Sequence, residues 1–227
     1  MGEQYNIMLE AVRRWFSWGA SLPAWSEFSA WAQANGWTIK RTIAHDGWVM
    51  SHHPAHPGWR IEWGPSQRSF MDSREFRIRF EVASMPEVQA MVLDRPLLAR
   101  LDHEVYQQFT EGVQTRLDAE TPEEMRWLAM HAKLSPNQMG PLLRDRYGAI
   151  STDRDWLSQW LAGAVGAALK ARADAVPVEA VSAEPFLLRL ARGQVALRQA
   201  APAPRVAALA TCVAVAEAVE EALRHAA

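Results

Sequence analysis

The sequence predicts an α+β chain. An antiparallel four-stranded N-terminal meander is covered by two N-terminal helices, and a mainly helical region with a late β-hairpin and a C-terminal helix follows. Three observations predict it. Apolar residues recur with a helical period over residues 5–34, with a two-residue period from Trp37 to Val82, and with a helical period again from about Arg95. Asp46-Gly47 and Arg192-Gly193 sit between alternating runs, where hairpin turns belong. Strands and helices are segregated along the chain, which argues against the alternating pattern of a doubly wound sheet.

The first helix places Tyr5, Met8, Leu9, Val12, Trp15 and Phe16 on one face, with Glu10, Arg13 and Arg14 opposite, and stops near Gly19. The second starts after Ser21, with Pro23 in its first turn. It buries Trp25, Phe28, Trp31 and Ala32 and ends at Asn35-Gly36. Trp37, Ile39 and Arg41 then alternate with Thr38, Lys40 and Thr42, and Trp48 and Met50 return after the Asp-Gly turn. Trp59, Ile61 and Trp63 alternate with Arg60 and Glu62. Phe76, Ile78, Phe80 and Val82 alternate with Arg77, Arg79 and Glu81. Four such runs make a sheet with one tryptophan-rich face under the helices and one charged, exposed face.

Val88 to Leu93 reads as a further short strand. Arg95-Pro96 opens a helix with the stripe Leu97, Leu98, Leu101, Val105 and Phe109. Thr121-Pro122-Glu123-Glu124 reads as a capping box ahead of Met125, Leu128 and Ala129. Ser135-Pro136 starts a short helix that ends near Tyr147-Gly148. Thr152 or Asp153 caps another, apolar from Trp156 to Ala168, in which Gly163 and Gly166 leave room for a second backbone. After an extended linker from Asp174 to Ala183 comes a hairpin over residues 185–199. A two-residue turn at Arg192-Gly193 sets Leu190 opposite Val195 and Leu188 opposite Leu197. The last helix runs from about Pro204 to His225. The change of pattern separates residues 1–94 from residues 95–227, as two units or as one compact domain.

Composition bounds the function. The chain has 227 residues, 49% of them apolar, and a formal net charge of −2. That profile fits a globular protein and lacks the basic excess of a dedicated nucleic-acid binder. One cysteine, Cys212, excludes an intramolecular disulfide and a multi-cysteine metal site. Met1 to Tyr5 carries no basic region ahead of an apolar one, so a secretory leader is not expected and the expected location is cytoplasmic. No apolar stretch approaches the roughly 20 residues of a membrane span. Heavy alanine and arginine usage fits a bacterial source with a GC-rich genome.

Three constellations stand out. Eight of the eleven tryptophans precede residue 64. Most are accounted for as core, since each buries on the order of 150–250 Å². Trp18 lies off the apolar stripe of its helix, so it is the tryptophan best suited to a binding groove. The same helix resembles an interfacial membrane helix, but it has fewer basic residues than such helices carry.

His52, His53 and His56 form the one dense cluster of metal-ligand side chains. His52 and His53 are adjacent at a strand end and point to opposite faces, so a solvated loop is the simpler reading. Arg60, Arg74, Arg77 and Arg79, with Arg68 nearby, make an anion-binding face if Glu62, Asp72, Glu75 and Glu81 lie apart from them. If the carboxylates lie opposite, the same residues make cross-strand ion pairs. The run from Arg60 to Arg68, with Gly64-Pro65-Ser66 at its centre, is distinctive but carries no known function.

Gly-x-Ser-x-Gly, Gly-x-x-x-x-Gly-Lys and Gly-x-Gly-x-x-Gly are all absent from the sequence, which lowers the standing of the common hydrolases and nucleotide enzymes. The expected function is therefore a non-catalytic binding or scaffold protein with a protein partner or a second copy of itself, and without a cofactor. The alternative is a metal- or anion-dependent enzyme that brings the histidine loop and the arginine face together around a small anionic ligand.

Overall fold

Residues 23–71, 74–82, 87–111, 122–176, 181 and 184–225 are described by the computed structural model of the chain. The first expected helix, with Trp15 and Trp18, and Asp72 lie outside them. In chain order the elements are α1 (Pro23–Ala34), β1 (Thr38–Arg41), β2 (Trp48–Ser51), β3 (Arg60–Pro65), β4 (Arg74–Glu81) and β5 (Ala90–Asp94). Then come α2 (Arg95–Glu111), α3 (Glu123–Met130), α4 (Pro136–Leu143), β6 (Tyr147–Ser151), α5 (Arg154–Ala162) and α6 (Ala164–Ala175). The hairpin strands β7 (Phe186–Ala191) and β8 (Gln194–Ala200) and the helix α7 (Val206–His225) follow.

The eight strands among the described residues lie in one antiparallel sheet, in the order β1-β2-β3-β4-β8-β7-β5-β6. The α+β class and the antiparallel β1–β4 meander follow the sequence reading, but the sheet is twice as wide as four strands. The late hairpin joins it: β8 pairs along the free side of β4, from Glu75 opposite Ala200 to Glu81 opposite Gln194. The hairpin register is the expected one, with Leu190 opposite Val195 and Leu188 opposite Leu197. Its two-residue turn holds Arg192 at φ 50° and Gly193 at φ 78°, the mirror-image turn whose twist matches the flanking strands.

One row of side chains shows what the sheet is built around. Met50, Ile61, Ile78, Leu197, Leu188, Val92 and Ala149 stand side by side across β2 to β6. Every one of them is buried. Phe28 and Ala32 of α1, Met139 and Leu143 of α4, Leu157 and Leu161 of α5, Val165 and Leu169 of α6 and the apolar stripe of α7 cover this first face. Trp37, Trp48 and Trp59 belong to the same core, in line with the structural reading of the tryptophans.

On the second face, Met91, Leu93, Ile150 and Leu187 from β5, β6 and β7 pack under Leu97, Leu101 and Val105 of α2 and Met125 and Trp127 of α3. The β3, β4 and β8 part of that face is ionic.

Two local expectations are corrected. The helix expected to run on to Tyr147-Gly148 stops at Leu143, and Tyr147–Ser151 is a strand at the sheet edge. All five of its residues are buried, so it shows no alternation. The capping box expected at Thr121 falls on a residue outside those described; α3 begins at Glu123, after Pro122, and Arg68 binds the Glu124 carboxylate. The helix expected from Trp156 through Ala168 breaks at Gly163 into α5 and α6.

The backbone that closes on Gly166 is the chain's own. A Cβ added there would lie 1.8 Å from the Leu161 carbonyl oxygen. Gly166→Ala is therefore expected to lower the unfolding free energy by about 1–3 kcal/mol, read as a lower urea midpoint at unchanged slope. An unchanged midpoint would mean that the corner between α5 and α6 opens without strain. No helix among the described residues is long and apolar enough to cross a membrane.

Candidate functional site

Strand alternation decides where the charged residues go. Arg60 and Glu62 on β3 and Glu75, Arg77 and Arg79 on β4 share the second face, and Arg198 on β8 joins them. Arg60 stands directly opposite Arg79, and Glu62 opposite Arg77, which in turn faces Arg198. Glu62 is the first hub. Its Oε1 accepts from Arg60 Nε at 2.7 Å, and its Oε2 accepts from Arg77 Nε at 3.1 Å and Arg79 Nη2 at 2.9 Å. Burial alone pushes the Glu62 carboxyl up, but these guanidiniums hold it below the ordinary glutamate value.

Glu75 is the second hub, with a side chain 0% exposed. Its Oε1 accepts from Arg198 Nη1 at 2.6 Å, Arg77 Nη1 at 3.3 Å and the Gln67 backbone N–H at 3.1 Å. A parallel set links the β3–β4 loop to α3. Arg68 Nε donates to both oxygens of Glu124, at 3.2 and 3.1 Å, and Arg189 pairs with Glu123.

The carboxylates therefore lie among the arginines, and the ion-pair alternative of the sequence reading describes the arrangement. The expected exposure is corrected: Glu62, Glu75, Arg77 and Arg198 are buried. Arg77 also reaches the Pro65 carbonyl at 2.7 Å, which folds the loop after β3 over the ladder. Arg74 does not join this group. It is two residues before Phe76 and so faces the other way, with its guanidinium 4.0 Å from the centre of the Trp63 ring. Arg198 and Glu124 were not singled out from the sequence, because they lie more than a hundred and about fifty positions away from the meander.

The histidine loop sits elsewhere. His52 is exposed, at φ 59°. His53 and His56 face each other with ring centres 4.8 Å apart, and His53 Nδ1 accepts from the Ala55 backbone N–H at 3.1 Å. The His56 ring lies 6.0 Å from Trp37 and 4.4 Å from Trp59. Its Nδ1 is 2.9 Å from Glu220 Oε2 and its Nε2 3.4 Å from Glu217 Oε1, so the loop is clasped to α7. Burial pushes the Glu220 carboxyl up, but His56 and Arg224 hold it below its ordinary value. Among the described residues no group of three His, Cys, Asp or Glu side chains is placed to hold a metal ion.

A third cluster went unread in the sequence. Arg172 of α6 is 1% exposed. It donates to Asp94 at 3.2 and 3.4 Å, to the Tyr147 hydroxyl at 3.0 Å and to Gln199 Oε1 at 3.0 Å. Its guanidinium lies 3.9 Å from the centre of the Phe186 ring. Asp94 also accepts from the Phe186 backbone N–H at 3.0 Å, and Tyr147 donates to the Leu169 carbonyl at 2.9 Å. Burial pulls the guanidinium down, but Asp94 and Tyr147 hold it above the ordinary arginine value. Cys212 closes the cluster at 3.2 Å from Gln199 Oε1, and burial pushes its thiol up to about 12. A neutral, enclosed thiol is a packing group and not a nucleophile. One signal was present: Arg172 falls at helical spacing from Val165 and Leu169, on an otherwise apolar face.

The sheet separates the first two clusters. His56 meets α7, which covers the first face, whereas Arg60 and Arg79 alternate with Ile61 and Ile78 and occupy the second. No known protein family matches the chain, and neither does any curated protein or solved structure.

Proposed function

We propose that the chain is a non-catalytic binding or scaffold protein that acts through a protein partner or a second copy of itself. The observation that carries this reading is the separation just described. A metal- or anion-dependent enzyme built from His52, His53 or His56 and the arginine face needs both on one side of a substrate. Here the sheet stands between them, and His56 and the arginines are each engaged with carboxylates of their own. Rigid support of a displayed surface is the better use of such pairing, because charges locked in a ladder cannot rearrange around a reacting group.

The accessible features on offer are the terminal strand β1, with Lys40 and Arg41 exposed, the fully exposed Ile43 in the loop after it, and the outer arginines. Sedimentation velocity over a concentration series, combined with cross-linking and mass spectrometry, tests the reading. Self-association, or a stoichiometric complex with one protein, is the expected result. A strict monomer that cross-links to nothing overturns it. Stoichiometric metal in untagged protein, lost together with a measurable activity in His56→Ala, would establish the enzyme alternative instead.

A further inference from the structure

We propose that the outer part of the second sheet face docks an acidic polypeptide segment through Arg60, Arg79 and Lys40. The proposal rests on the binding reading above and names the chemistry of the partner. Among the described residues, Arg60, Arg77, Arg79 and Arg198 pair with Glu62 and Glu75, so this ladder holds two more positive than negative charges, and one more when exposed Glu81 beside Arg79 is counted. Arg68 and Arg189 are matched by Glu123 and Glu124 and leave no surplus.

The surplus lies at the solvent end. The Arg60 and Arg79 side chains are 52% and 45% exposed, whereas Arg77 and Arg198 are buried. Arg60 and Arg79 are also directly opposed across β3 and β4, a like-charge pair that is unfavourable without an anion between them. Glu62 serves both and Arg77 as well. Its contacts engage Nε and Nη2 of Arg60 and Nη2 of Arg79, and a guanidinium has five N–H donors. A second carboxylate therefore completes what one buried glutamate only begins.

Lys40 extends the strip. It is exposed on β1 and stands opposite Val49, which stands opposite Glu62, so all three share the second face. At about 4.8 Å between strands and about 6.6 Å for the two-residue step from the Glu62 and Arg77 row to the Arg60 and Arg79 row, Lys40 lies roughly 12 Å from the Arg60 position and 16 Å from the Arg79 position. Carboxylates at every second residue of an extended peptide repeat at about 6.6 Å, and about six residues span that distance. The side chains beside the cations, Thr38, Val49 and Ser51, offer no aromatic ring for stacking a base. Glu81, next on the same face of β4, is exposed and ends the strip after three cations. That is a short acidic segment's length, not a nucleic-acid track.

The test is fluorescence anisotropy of the full chain with a labelled peptide of alternating glutamate and serine. Saturable binding is expected, weaker at about 500 mM salt than at about 50 mM. The Arg60→Gln/Arg79→Gln double variant is expected to lose affinity by about tenfold or more, and Arg205→Gln, at an exposed arginine paired with Glu184, to change it by less than about twofold. Should the glutamine pair fail to fold, Arg60→Lys/Arg79→Lys keeps the charge and decides the matter: binding within a few-fold of the parent supports the proposal, and no binding overturns it.

Equal binding by the parent and the folded glutamine pair overturns it. So does complete displacement by equimolar inorganic phosphate, or tighter arginine-dependent binding of a labelled single-stranded DNA. If sedimentation finds a protein complex that the glutamine pair leaves intact, while the peptide does not bind, the proposal falls and the binding reading stands. A strict monomer that binds no peptide removes both.

Discussion

Arg172→Met is expected to lower the unfolding free energy by about 3–5 kcal/mol, the loss seen when one partner of a buried ion pair is removed. The size follows from what stays behind. Methionine fills most of the volume between Phe186 and Tyr147 but leaves the Asp94 carboxylate enclosed, with the Phe186 backbone N–H as its remaining donor among the described residues. Asp94 is itself 1% exposed, and burial already pushes its carboxyl above the ordinary aspartate value against the pull of Arg172. Urea unfolding of the single variants and of Arg172→Met/Asp94→Leu checks the argument. The double variant is expected to recover most of the loss, because it removes the charge as well as its partner. A single-variant loss below about 1 kcal/mol would show that Arg172 is not the charge that makes Asp94 tolerable.

Glu75→Leu is the second large effect, again about 3–5 kcal/mol. It takes a carboxylate from two buried guanidiniums, Arg77 and Arg198, where Arg172→Met takes the cation from one carboxylate. Arg77 keeps Glu62 and the Pro65 carbonyl, so the heavier burden falls on Arg198, which burial already pushes below the ordinary arginine value. Arg60→Gln is the contrasting control. Its partner Glu62 retains Arg77 and Arg79, and Arg60 is itself half exposed, so a change within about 1 kcal/mol is expected. Urea midpoints at low and high salt separate the two cases. The Glu75 effect should persist in salt, since enclosed charges are weakly screened. Its disappearance in salt would mean that water reaches the ladder.

The part of the fold that the sequence made plain is the part with alternation. Between Trp37 and Val82 the runs Trp59–Trp63 and Phe76–Val82 alternate apolar with polar residues, and with the turn signals around them they fix the strands and the core face. The hairpin was equally legible, because Arg192-Gly193 and the apolar pairs flanking it agree on one register. β6 was not, because Tyr-Gly-Ala-Ile-Ser is buried on both faces and lacks a period. The join between β4 and β8 was invisible for another reason: the pairing of Glu75 with Ala200 carries no local signal.

The same gap hid half of the candidate site. Arg60, Glu62, Arg77 and Arg79 could be placed on one face by counting in twos. Arg198, Arg189 and Glu124 could not, and without them the face looks open to solvent. Arg74 shows the limit of reading a charge by proximity in sequence, since it lies three residues from Arg77 and therefore on the opposite side of the sheet.

The place of β8 between β4 and β7 has a consequence for how the chain reaches this state. Strands β1 to β4 leave the ribosome more than a hundred residues ahead of the segment that covers their inner edge. Until residues 194–200 arrive, β4 presents a bare row of amide and carbonyl groups beside Phe76, Ile78 and Phe80, the kind of edge on which chains aggregate. Closure waits on a contact between distant parts of the chain, which makes folding slow for its size. A newly made chain that stalls before the hairpin is expected to aggregate more readily than the finished one.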